Sequence, residues 1–328
     1  MKAVLLDKPG PPSTLRIGEA DSPVPGKEEA LVRVYATSLN PVDYKVARQG
    51  YDLWRYPHIP GVDVAGVIEA VGEGVKNWKV GDEVFYHTTW RKPGSYAEFN
   101  VAPAHTFAAI PSGISFEQAA ELPCAGLTAY SALYRRLHIS EGDIALVHAA
   151  AGGVGGFAVQ LAKAAKGFVI GTCSGPNKNY VKELGADEVI DYRSGDVFKR
   201  VYEIVGERGL DAIVDIVGPS NGVDNLRLLG PEGGVAFIAG FPDLSGVPDL
   251  PYSISIHDMG LGGVLKSPAF RRRQEDLGKM AAELMKLVVD NKVRSIATEQ
   301  ITLEEIPKAL ERLSGGHVRG KIVVKIHD

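Results

Sequence analysis

Residues 148–156 read His-Ala-Ala-Ala-Gly-Gly-Val-Gly-Gly, small side chains that let a backbone come close to a phosphate. The run lies between an apolar strand pattern, Ile144–His148, and a helical one, Gly155–Ala165. A glycine string alone is equally a ligand-free tight turn. The strand-to-helix context makes it a dinucleotide fingerprint, because the helix-start N–H groups then face a pyrophosphate. Two registers fit, Ala150-x-Gly152-x-x-Gly155 and Gly153-x-Gly155-x-x-Ala158. At the end of the next strand an acid would hold a ribose 2′-hydroxyl and repel a 2′-phosphate. Here Phe168–Thr172 runs into Cys173-Ser174-Gly175, without an acid. Ser174 can donate a hydrogen bond and Lys178 can supply charge, so the pattern favours NADPH over NADH. Lys178 taken alone is an ordinary exposed helix lysine.

These residues need a rigid frame. From Ile144 onward strands and helices alternate: strands at Phe168–Thr172, Glu188–Asp191, Ala212–Val217 and Val235–Ala239, and helices at Lys178–Leu184, Val197–Val205 and Asn221–Leu229. That alternation predicts a parallel α/β sheet covered on both faces, and the apolar strands fit such burial. Gly262–Leu265 reads as its last strand. The first third is β-rich, with strands at Leu31–Tyr35, Gly66–Val71 and Glu83–Tyr86. One helix interrupts it, capped by Asn40, with Pro41 first and Asp43 third. A second opens at Ser115 with Gln118 completing a capping box, is interrupted at Pro123, and continues as a long apolar helix over Ala125–Leu137. A helix from about Gln274 to Asp290, another at Leu303–Leu313 and a strand at Lys321–Ile326 form a tail that returns to the first domain.

Bulk properties exclude other classes. The 328 residues suggest two domains, and 45% hydrophobic with 23% charged residues is an ordinary globular balance. A net charge of -4 gives no reason for nucleic-acid or anionic-membrane binding. The one basic run, Arg271-Arg272-Arg273, reads as a solvated helix start. No apolar run reaches the ~18 residues of a membrane span. Met1–Asp7 reads as a strand rather than a secretory signal. With Cys124 and Cys173 alone, a disulfide framework and a four-cysteine zinc site are excluded, and a reducing, cytoplasmic setting fits.

With these residues in hand, the chain resembles the medium-chain dehydrogenase/reductase superfamily, specifically its zinc-free quinone oxidoreductase (zeta-crystallin-like) branch. The resemblance rests on residues 40–45 (Asn-Pro-Val-Asp-Tyr-Lys), 60–69 (Pro-Gly-Val-Asp-Val-Ala-Gly-Val-Ile-Glu), 80–84, 149–155, 184–187 and the closing 320–324 (Gly-Lys-Ile-Val-Val). It implies a partly barrel-like, GroES-like catalytic domain over residues 1–121 and 267–328, and a Rossmann NADPH-binding domain over 122–266. Ala151, Gly152, Gly153 and Val154 would form the pyrophosphate turn. Ser174, Lys178 and Tyr192 would meet the 2′-phosphate. Val217, Gly218, Ala239 and Gly240 would line the cofactor at strand ends, with Asn40, Asp43, Thr128 and Lys321 also beside it. The zinc dehydrogenases carry a cysteine near Asn40 and Gly-His-Glu near Gly61-Val62-Asp63, so no metal is expected. His58 and His87 lack partners at ligand spacing. A homodimer through the sheet edge, placed at Gly262–Leu265, is also implied.

The implied reaction is hydride transfer to a small electrophile: a quinone, an enone or an alkenal. The developing negative charge on the substrate oxygen needs a donor and then a proton. Tyr51 and Lys45 are the candidate donors, with solvent as the alternative. Tyr51 follows Gln49-Gly50 much as a tyrosine does in enoyl-thioester reductases, at a spacing one residue shorter. Tyr51, Trp54, Tyr56 and Trp90 could wall a pocket for a planar substrate. Two other functions stay open: an enoyl-thioester reductase, and a non-catalytic NADPH-binding sensor or structural protein.

Overall fold

A computed structural model describes residues 1–247, 249–316 and 318–327. The chain divides into two compact units, Met1–Leu127 with Leu261–Val289 and Ser295–Asp328, and Thr128–Gly260 with Asp290–Arg294.

Among the described residues the first unit carries a seven-stranded sheet. Its spine is the strand Glu29–Ser38, whose alternate residues Val32 and Val34 are buried as a half-covered strand requires. They pack with Val64, Ile68, Val84 and Tyr86. A second cluster gathers Leu6, Ile59, Tyr96, Ile306, Leu310 and Val324. Each such side chain contributes about 1.5–3 kcal/mol when fully buried. Register matters most for the site. Glu29–Ser38 pairs antiparallel with Lys321–Lys325 through Ser38 and Val323, and with Asp63–Val71 through Ala36 and Ala65. The end of one strand and the starts of two others therefore meet at one corner, carrying Ser38, Asp63 and Lys321. The chain leaves that corner into the helix Pro41–Gln49. There Asn40 and Asp43 close a capping box, Pro41 occupies the first turn, and Gly50 ends the helix at φ 76°. The tail returns to this sheet as expected, since Lys321–Lys325 is one of its strands.

The second unit holds a six-stranded parallel sheet among the described residues. In space its strands run Glu188–Asp191, Phe168–Cys173, Ile144–Val147, Leu210–Asp215, Leu229–Phe237 and Ser255–Asp258. Numbered along the chain this is the 3-2-1-4-5-6 order of a Rossmann sheet, reversing direction beside Ile144–Val147.

Two expectations are corrected. Gly262–Leu265 is not a strand; Leu261–Lys266 is a 3₁₀ helix of the first unit, and the last strand is Ser255–Asp258. Gly260, Gly262 and Gly263 leave that stretch too little side chain to hold a strand, whereas Ser-Ile-His-Asp suffices at a half-exposed edge. The helix expected over Ala125–Leu137 contains wide turns at Leu122–Gly126 and Ser131–Arg136, with regular α geometry only at Leu127–Tyr130. The N–H of Leu127 reaches back to Leu122 and that of Leu137 to Ala132, the i→i−5 pattern of π-helix. No helix among the described residues is long and apolar enough to cross a membrane.

Candidate functional site

The glycine-rich turn follows the first Rossmann strand and opens the helix Gly153–Ala164, with Gly152 at its N-cap. Ala149 takes a left-handed φ of 48°. The geometry selects one register. A Cβ on Gly155 would lie 2.3 Å from the Ala149 carbonyl oxygen and 2.8 Å from Ala150 Cα. Gly155 is thus the close-packing third position of Ala150-x-Gly152-x-x-Gly155. At Gly152 the nearest neighbour of a Cβ would be 3.4 Å away, so this side of the turn is open. The helix start has no side-chain cap and no acid in its first turn. Its orphan N–H groups therefore suit a pyrophosphate, and Ala151, Gly152, Gly153 and Val154 all lie in this stretch. Gly155→Ala is expected to cost about 1–3 kcal/mol by overpacking and to abolish dinucleotide binding. A lowered thermal midpoint together with lost NADPH fluorescence enhancement would check it.

Ser174 follows the strand Phe168–Cys173, and Lys178 starts the next helix with its side chain exposed. The Lys178 charge acts on Cys173, the last residue of that strand. Tyr192 follows the neighbouring strand Glu188–Asp191, its N–H bonded to the Cys173 carbonyl at 3.2 Å. The Arg193 guanidinium lies 5.5 Å from the Tyr192 ring centroid. It adds a cation that a reading of Phe168–Lys178 alone misses. Asp191 places an acid at the same corner, but its Oδ1 already accepts the Arg193 N–H at 2.9 Å. Beyond the first strand, Asp215 is buried and its Oδ1 accepts the N–H groups of Val217, at 2.8 Å, and Gly218, at 3.2 Å. That grip ends the strand at Asp215 and shapes the Val217–Gly218 turn, where Gly218 has φ 125°. Asn225 links Asp215 to His148, at 2.7 and 2.9 Å. Burial lowers the His148 pKa, keeping the ring neutral in this network. Gly240 follows Ala239 at φ 133°, also just past a strand. Thr128 is buried in the α turn between the two wide turns.

In the first unit the sheet corner holds a buried polar cluster. Asp63 is 0%, Lys321 3% and Asp43 4% exposed. Asp63 Oδ2 accepts from Asn40 Nδ2 at 2.6 Å and from the Ser38 hydroxyl, while its Oδ1 accepts the Cys124 N–H at 2.8 Å. Lys321 Nζ donates to Asn40 Oδ1 at 2.7 Å and to the Leu39 carbonyl at 3.0 Å, and lies 3.5 Å from Asp63. Asp43 Oδ2 accepts the Tyr96 hydroxyl at 2.6 Å and the Asn40 N–H at 2.8 Å. Asn40, Asp43 and Lys321 were expected at the site, and the fold brings them together. Asp63 and Tyr96 were not. The available signal was an acid inside the apolar run Val62–Ile68, read only as a lost metal ligand; Tyr96 carries no such signal.

Lys45 stands apart, exposed on the helix Pro41–Gln49 two residues, and so about 200° around the axis, from Asp43. Tyr51 packs edge-on against Trp54 at 6.3 Å. Trp54 stacks on His58 at 3.9 Å and donates from Nε1 to the Trp90 carbonyl at 2.7 Å. A narrow pocket, of about 10 Å³, is lined by Trp54, His58, Trp90, Val62, Thr89 and Asp43, among others. Tyr56 meets Trp54 from outside and is exposed. Both histidines are buried: burial lowers the His58 pKa to about 4, and His87 Nδ1 bonds the Thr88 carbonyl at 2.8 Å. Among the described residues no group of three or more His, Cys, Asp or Glu is placed to hold a metal. Both cysteines are free. Burial raises both thiol pKa values, that of Cys173 to about 11, so neither is a ready nucleophile. Arg271 pairs with Glu28 and Glu275, at 3.0 and 2.9 Å, and Arg272 and Arg273 are solvated.

Comparison with known proteins agrees with this geometry. Residues 26–112 match the family model described as an alcohol dehydrogenase GroES-like domain, and residues 184–324 the model described as a zinc-binding dehydrogenase. A quinone oxidoreductase of Lama guanicoe is 33% identical, over 99% of this chain and 97% of its own. The solved structure of a Pseudomonas syringae quinone oxidoreductase is 33% identical at a TM-score of 0.87, covering 99% of both chains. A mycobacterial protein solved in complex with NADPH is 30% identical at a TM-score of 0.84, again over 99% of both. Fold order, fingerprint turn and full-length similarity together make this chain a member of the quinone oxidoreductase branch of the medium-chain dehydrogenase/reductase superfamily.

Proposed function

We propose that the protein is a zinc-independent, NADPH-dependent reductase that delivers hydride to a quinone or an α,β-unsaturated carbonyl. One observation carries the reading: an aromatic-walled pocket borders a buried carboxyl cluster whose positions 40 and 63 hold Asn and Asp, a donor set built for hydrogen bonding rather than for zinc. In the second unit the turn at Ala151–Val154 would hold the pyrophosphate, and Ser174, Lys178, Tyr192 and Arg193 the 2′-phosphate. Val217, Gly218, Ala239, Gly240 and Thr128 would line the rest. Bound NADPH supplies the hydride. Trp54 and Trp90 position a planar electrophile and exclude water, and polar groups at the pocket wall meet the oxygen that becomes negative.

The test is NADPH oxidation across 1,4-quinones, cyclic enones, alkenals, crotonyl thioesters and simple alcohols. Turnover is expected with the first three and to persist after chelation, with elemental analysis finding no stoichiometric zinc. Preference for crotonyl thioesters would favour an enoyl-thioester reductase. Tight NADPH binding without consumption would favour the non-catalytic reading. A cytoplasmic homodimer completes the proposal, with Ser255–Asp258 as the sheet edge on offer in place of Gly262–Leu265. Tyr51→Phe and Lys45→Ala separate the two expected proton donors. If both keep near-normal turnover, the proton comes from elsewhere.

A further inference from the structure

Two carboxyls and one ammonium, those of Asp43, Asp63 and Lys321, are buried at the sheet corner. Lys321 lies with Asp63, which also takes donors from Asn40, Ser38 and Cys124. Asp43 has only neutral donors, the Tyr96 hydroxyl and the Asn40 N–H, and both fall on Oδ2. Its Oδ1 is buried without a hydrogen-bond partner. Asp43 is also the carboxyl that borders the pocket walled by Trp54 and Trp90. An ionised, unpartnered oxygen against an apolar wall is unfavourable. A proton on Oδ1 removes that conflict, because Oδ2 keeps both donors and Oδ1 gains an O–H to offer an occupant of the pocket.

We propose that Asp43 is the general acid of this pocket, its Oδ1–H donating to the carbonyl or quinone oxygen of the bound electrophile and passing the proton over as that oxygen gains an electron pair. This rests on the reductase reading. As hydride bonds to the conjugated carbon, the carbon–carbon π pair moves toward the oxygen and the carbonyl π pair becomes a lone pair there. The Asp43 O–H bond breaks as the new O–H bond forms, leaving an enol and the Asp43 carboxylate; when the substrate is a quinone, this enol becomes the quinol as the ring CH2 loses a proton to solvent and the second carbonyl oxygen gains one. Solvent protonates that carboxylate for the next turnover, and the enol of an enone then relaxes to the ketone. Burial pushes the Asp43 pKa up to about 7; the Asp63 charge adds to the rise, while the Tyr96 hydroxyl, the Asn40 N–H and Lys321 oppose it. The other titratable groups of the cluster and pocket wall are Asp63, Lys321, Tyr96, Cys124, His58, His87 and Lys92. Of these, burial moves His58 down to about 4 and Tyr96 and Cys124 well up, away from neutrality.

Asp43→Asn is the decisive variant. Its amide oxygen can still accept from Tyr96 and Asn40, and its amide nitrogen can still donate toward the pocket, but it has no proton to give. Turnover with quinones and enones is expected to fall about 10²–10⁴-fold, a loss far larger than any change in NADPH affinity read by fluorescence titration. The wild-type kcat/KM should decline as pH rises through about 7, because only the protonated acid is active, and the variant should lose that limb. Tyr96→Phe removes a donor that favours the carboxylate, so its decline should move to higher pH. Without cofactor, infrared titration should show a protonated-carboxyl band that disappears through the same pH range and is absent from Asp43→Asn. Unchanged turnover and pH profile in Asp43→Asn, or no such band in the wild type, overturns the assignment. Failure of the wild type to consume NADPH with any electrophile refutes instead the reductase reading, and the acid role with it.

Discussion

Lys321→Met is expected to destabilise the first unit by about 3–5 kcal/mol, the cost of leaving a buried charge without its partner. Asp63 would keep its donors from Asn40, Ser38 and Cys124 but lose the ammonium at 3.5 Å. Asn40 would lose the donor that fixes its amide, at 2.7 Å. Lys321→Met combined with Asp63→Asn removes both charges and should recover much of the loss, because the surviving groups are neutral and still able to pair. Urea unfolding followed by a probe within the first unit would measure this. A single variant as stable as the wild type, or a double variant no better than the single, would show that Lys321 and Asp63 are not coupled.

Lys178→Glu should raise the Kd for NADPH about 100-fold and leave that for NADH nearly unchanged. Removing a charge-assisted hydrogen bond costs about 1.5–3 kcal/mol, and an introduced carboxylate adds repulsion toward a 2′-phosphate. Lys178 is exposed and starts its helix just past Ser174, so the substitution should leave folding intact. Arg193→Ala should act in the same direction and more weakly, since Arg193 lies over Tyr192 on the adjoining strand end. Equal losses for both nucleotides would mean that Lys178 meets the pyrophosphate or serves the fold, and would remove the basis for NADPH preference.

The Rossmann half was legible because its signals are local. Apolar strands, capped helices and the glycine turn each lie within a few residues, and their alternation leaves few sheet orders. Which glycine packs closest was not local: Gly155 is singled out only by the distance of a Cβ from Ala149. The edge strand escaped notice because Ser255–Asp258 faces solvent on much of its surface and lacks the apolar run of its neighbours. The wide helical turns after Leu122 leave no mark in composition. For the polar corner, the capping pattern located Asn40 and Asp43, and the family pattern located Lys321. Neither could show that strand register delivers Asp63 between them, or that Tyr96 arrives from a distant loop to hold Asp43.

The placement of Lys321 has a consequence for biosynthesis. The Rossmann strands lie within one continuous stretch, Thr128–Gly260, which can collapse as soon as it leaves the ribosome. The first unit cannot, because the cation that balances Asp63 lies on Lys321–Lys325, the strand of its sheet that comes latest along the chain. Until that strand is threaded beside Ser38, a nascent chain carries an uncompensated acid at the heart of its earliest-made sheet. Premature termination just short of Lys321 should therefore yield a polypeptide with a sound nucleotide fold and a collapsed partner, a natural target for proteolysis.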